Sequence, residues 1–77
     1  MNLIGLRVRE ARLARTPQWS LEELSQALLQ VTQVDLAESA LSKIENGQRG
    51  VYDYEVRAFA VTLGVSFDWL LESVERR

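Results

Sequence analysis

Residues 37–47, A-E-S-A-L-S-K-I-E-N-G, sort themselves by chemistry as only a helix can. At about 100° per residue, Ala37, Ala40, Leu41 and Ile44 fall on one arc. Glu38, Ser39, Ser42, Lys43 and Asn46 fall on the opposite one. Gly47 follows at once, where a left-handed residue ends a helix, and Asn46 tolerates the same conformation. The inner arc is small and tight. The outer arc consists of hydrogen-bonding side chains rather than a plain mixture of Lys and Glu. A polar outer face is ordinary on any surface helix, so the arc alone does not make a site. Its neighbours add weight, because a capped helix precedes it and a basic helix precedes that.

At 77 residues the chain is one domain near the lower size limit for folding without a staple. Self-association is a natural supplement to so small a core. The chain has no Cys and no His. Disulfides, zinc fingers and Ser–His or Cys–His nucleophile pairs are thereby removed, and no metal or cofactor is expected. The first twenty residues carry four Arg and no long apolar run, which argues against a signal peptide. No stretch approaches the ~18 apolar residues of a membrane helix. The expectation is a soluble, cytoplasmic protein.

The net charge of −2 and a pI near 5.0 do not suggest a nucleic-acid binder on average. Position matters more than the sum. Residues 7–15 hold four Arg against one acid, Glu10, whereas residues 50–77 hold five acids against three Arg. That asymmetry permits a basic face at one end.

Taken in order, helix 1 is expected near 3–15, with Ile4, Val8 and Ala11 as its inner stripe and arginines on its flanks. Thr16-Pro17-Gln18 breaks the pattern. Helix 2, near 20–31, opens with Ser20 as N-cap and Glu23 three residues on, a capping box, with Trp19 and Leu24 placed as a hydrophobic staple. Leu21, Leu24, Leu28 and Val31 keep its helical spacing. Helix 3 is expected near 37–46. Helix 4, near 53–63, takes Asp53 as N-cap and buries Val56, Phe59, Ala60 and Leu63. Helix 5, near 66–75, is capped by Ser66. Its Phe67, Trp69, Leu70, Leu71 and Val74 are too many for one narrow stripe, so some cover the core and the rest are left for a second subunit. The expected fold class is all-α, a compact five-helix bundle without strands.

Three segments now carry a resemblance: S-L-E-E-L at 20–24, A-L-S-K-I-E-N-G-Q-R at 40–49 and L-G-V-S-F-D-W-L-L at 63–71. Together, and in this order, they resemble the phage-repressor and Cro-like (XRE) helix-turn-helix family over nearly the whole chain. The resemblance implies a lambda-repressor-like domain that binds operator DNA as a two-fold dimer, with helix 3 in the major groove. It implies base contacts by Glu38, Ser39, Ser42 and Lys43, and phosphate contacts by Ser20, Asn46, Gln48 and Arg49. It further implies a structural ion pair between Arg12 and Glu45, and a dimer contact at Trp69, Leu70 and Leu71. The chemistry is compatible: Lys43 can donate to guanine, Glu38 can accept from cytosine, and either serine can bond both ways. Helix 2's free amides suit a phosphate.

The chain also departs from the family pattern. Between Leu24 and Leu41 it is several residues longer than the usual motif, and the Gly after helix 2 is missing. L-L-Q-V-T-Q-V-D therefore makes a longer helix 2, a wider loop, or both. Ala37 stands where Ser or Thr often begins helix 3, which leaves Asp35 as a possible cap. Arg7 and Arg15 read as ordinary surface charge and Trp19 as core filler. The acid pairs Glu22/Glu23 and Glu72/Glu75 lack a pocket to desolvate them and read as solvated charges, not as an enzyme's acid and base. Two functions follow. One is a homodimeric transcription regulator on a palindromic operator, with no cofactor and no small-molecule ligand. The other is a protein–protein interaction module of the same fold, an antitoxin or adapter, with weak or lost DNA affinity.

Overall fold

A computed structural model describes residues 4–75, with side chains described through Leu71. Its elements are α1 (Ile4–Leu13), α2 (Leu21–Thr32), α3 (Glu38–Glu45), α4 (Asp53–Leu63) and α5 (Phe67–Glu75), with no strand among the described residues. The expected first residue of helix 1 and the side chains of Glu72, Val74 and Glu75 lie outside what is described.

Local chemical signals set the start of α2, α4 and α5 and the end of α2, α3 and α4. Ser20 caps α2 as a full capping box. The Glu23 N–H donates to Ser20 Oγ at 3.1 Å, and the Ser20 N–H donates to Glu23 Oε1 at 2.8 Å. Ser66 caps α5 by accepting from the Trp69 N–H at 2.9 Å. The N-cap of α4 is Tyr52 rather than Asp53, which is already the first helical residue. Glu55 decides this, since its carboxylate reaches back to the Tyr52 N–H at 3.0 Å. Asp35 does not cap α3 either. Ala37 holds the cap position with no side-chain hydrogen bond, and it is exposed rather than on the inner face. Helix α1 ends at Leu13, two residues early, as the chain turns toward Thr16-Pro17.

Seven of the eleven residues of α4 are buried, which makes it the central helix. Phe59 is fully enclosed and shares one core cluster with Val8, Leu24, Leu28, Leu41, Ile44 and Leu70. Each of these buried aliphatic side chains contributes about 1.5–3 kcal/mol of transfer free energy. Helix α4 packs on α2 and α5, α1 packs on α5, and α3 sits on α1 and α2. The expected stripes of α1 to α4 hold with two exceptions: Ala37 is exposed, and Val31 is 57% exposed.

The lengthened connection after α2 resolves into Gln33–Ala37. Gln33 is left-handed at φ 63° and donates its N–H to the Leu29 carbonyl at 2.9 Å, the task a glycine would usually have. Two anchors then guide the loop onto the core. Leu36 is buried, and the Ser25 hydroxyl donates to its carbonyl at 2.6 Å. Among the described residues no helix is long and apolar enough to cross a membrane.

Candidate nucleic-acid interface

The eight residues of α3 split as their sequence demands. Leu41, Ile44 and Glu45 are buried, Ala40 is half-buried, and Glu38, Ser39 and Lys43 are exposed. Ser42 is half-buried and accepts from Asn46 Nδ2 at 3.4 Å, so these two candidate residues sit one turn apart on one ridge. Gln48 and Ser20 are exposed, and the Ser20 hydroxyl is committed to its cap.

The C-terminal end of α3 is closed by a two-bond motif. The Gly47 N–H donates to Ile44 O at 3.1 Å, and the Gln48 N–H donates to Lys43 O at 2.8 Å. Gly47 is left-handed at φ 75° to allow it. Gly5 of α1 presses against the same turn: an added Cβ would collide with the Ile44 carbonyl oxygen. Only glycine lets the two backbones meet there.

Two bidentate ion pairs secure this end. Arg12 donates from Nε to Glu45 Oε2 and from Nη2 to Glu45 Oε1, both at 2.8 Å, and from Nη1 to the Trp19 carbonyl at 2.9 Å. One guanidinium thus joins α1, the end of α3 and the approach to α2. The hydrogen bond to Glu45 raises the Arg12 pKa against the burial that would lower it. The expected Arg12–Glu45 pair is therefore present, with its two side chains 11% and 5% exposed.

The second pair has no counterpart among the sequence expectations. Arg49 donates from Nη1 and Nη2 to the two carboxylate oxygens of Glu55, each at 3.0 Å, and from Nη1 to the Gly50 carbonyl at 2.9 Å. The Glu55 side chain is 1% exposed. Burial alone would push its pKa up, but the Arg49 bonds and the Tyr52 N–H reverse this and hold it below the ordinary glutamate value. Arg49, expected to grip phosphate, thus has its fork occupied by a buried acid. The legible signal was Glu55 itself, at the third position of a helix, where a carboxylate folds back on the cap.

Several other expectations are corrected. Leu70, expected at a dimer contact, is 0% exposed and belongs to the core. Trp69 and Leu71 are half-buried. The guanidinium of Arg7 lies 4.4 Å from the centre of the Trp69 ring, and Arg15 covers the Trp19 ring at 3.7 Å. These arginines are therefore packed over aromatic faces and are not bare surface charge. Trp19 is half-buried against the core, as expected of a filler. No known family model, curated protein or solved structure matches this chain.

Proposed function

We propose that the chain is a sequence-specific double-stranded-DNA-binding regulator of the helix-turn-helix type, acting as a homodimer with α3 in the major groove. One observation carries the reading: the inner side of α3 is fixed by Leu41, Ile44 and the Arg12–Glu45 pair, while Glu38, Ser39 and Lys43 stay exposed. A groove of B-DNA admits one such helix, and reading base edges needs donors and acceptors held on a rigid support. In this reading Lys43 and the two serines read bases, and Ser20, Asn46 and Gln48 position the backbone. Two copies of α3 stand about one DNA turn, ~34 Å, apart.

Selection from a random duplex library tests it. The expected outcome is one short palindrome, with affinity falling steeply as salt rises. Lys43→Ala should then relax preference at one position of each half-site by about 1–3 kcal/mol, while Gln48→Ala weakens all sequences alike. Identical, uniform losses would remove α3 as the reader. The interaction-module alternative draws support from the low pI, from exposed Glu38 and from an apolar groove between α2 and α4. It predicts no selected sequence and little salt dependence.

A further inference from the structure

An apolar surface lies open on the α2–α4 side of the domain. A groove of 400 Å³ runs between the end of α2 and α4, lined by Val31, Thr32, Val34, Tyr54, Arg57, Ala58 and Val61. Val31, Tyr54 and Val61 are 57–59% exposed. Tyr54 is stiffened by stacking on Tyr52, with ring centres 6.1 Å apart and planes within 6°. On α5, by contrast, Leu70 is sealed in the core and Trp69 is covered by Arg7, leaving Phe67 as its largest exposed apolar side chain among the described residues.

We infer that a second copy of this chain docks on the α2–α4 groove, with the two α4 helices antiparallel across a two-fold axis. Charge points to a second copy. The α2–α4 face groups Val31, Tyr54 and Val61, exposed apolar side chains of the kind such a contact needs. Asp53 and Arg57 lie one turn apart on the exposed side of α4, and among the described residues neither has an ion-pair partner within its own chain. Antiparallel α4 helices set Arg57 of each copy against the partner's Asp53, so the face is complementary to itself. Each Tyr54 ring then closes the partner's groove. No residue of α3 lines this groove. The inference extends the two-fold regulator reading but is tested without DNA, so either can fail alone.

Sedimentation equilibrium of the whole chain should give twice the 8.8 kDa monomer mass at micromolar concentration. Val61→Asp and Arg57→Asp should each raise the dissociation constant about a hundredfold with unchanged helical circular dichroism. Exchanging the charges, Asp53→Arg with Arg57→Asp, should restore the dimer, and Phe67→Asp should leave it intact. A monomer up to millimolar concentration would overturn the inference. So would a dimer broken by Phe67→Asp but indifferent to Val61→Asp, or a charge exchange that restores nothing.

Discussion

The two ends of α3 are held by different means. At its C-terminal end, Arg12 and Arg49 engage buried carboxylates on either side, a left-handed glycine ends the helix, and Gly5 brings α1 into backbone contact. At its N-terminal end Ala37 offers no cap, and the preceding loop rests on buried Leu36 and one hydroxyl from Ser25. Lys43 therefore stands on the clamped end, and Glu38 and Ser39 on the lightly held one. Charge networks fix one end, and a short apolar anchor steers the other.

The largest expected effect comes from Arg12→Ala, which strands Glu45 in the core and leaves the Trp19 carbonyl without its donor. A loss of about 4 kcal/mol in urea unfolding is expected, and a loss under 1 kcal/mol would dissolve the contrast between the two ends. Gly5→Ala follows at about 3 kcal/mol, because backbone cannot yield as a side chain can. Arg49→Ala should cost about 2 kcal/mol, less than Arg12→Ala because Arg49 is itself partly exposed.

Arg49→Ala should also change the acid limb of stability. The folded Glu55 pKa lies below its ordinary value of 4.5. Its contribution is therefore complete above that pH and fades as the pH falls through the folded value. Removing Arg49 should flatten that decline, measured as urea midpoints from neutral pH to about pH 3. At the other end the changes should be gains. Ala37→Ser supplies the missing cap and should add about 1 kcal/mol in thermal unfolding. Gln33→Gly relieves a left-handed residue and should add about 0.5 kcal/mol.

Much of the architecture is legible in the sequence because its signals are local. Ser20 and Glu23 find each other three residues apart, and Gly47 ends α3 from the next position. The inner stripe of α4 survives intact because a central helix leaves its periodicity no alternative. The pairing of Arg12 with Glu45 is legible only through the resemblance, since their 33-residue separation leaves no periodic trace. Arg49 with Glu55 escaped because an arginine beside E-N-G looks like a phosphate ligand until the depth of Glu55 is known. Leu70 and Leu71 are neighbours on one helix, and only the position of α1 against α5 decides which faces inward. Val31 kept helical spacing and still came out exposed, since spacing cannot tell where a neighbouring helix stops covering it.

The packing of arginines over both indole rings has an optical consequence. Trp19 precedes α2 and Trp69 lies on α5, yet each is covered by a cation from α1 or the residues just after it. Detaching that first helix together with Arg15 just beyond it would remove the cation from both fluorophores at once. The intrinsic emission of this protein is therefore a gauge of whether its N-terminal helix is seated.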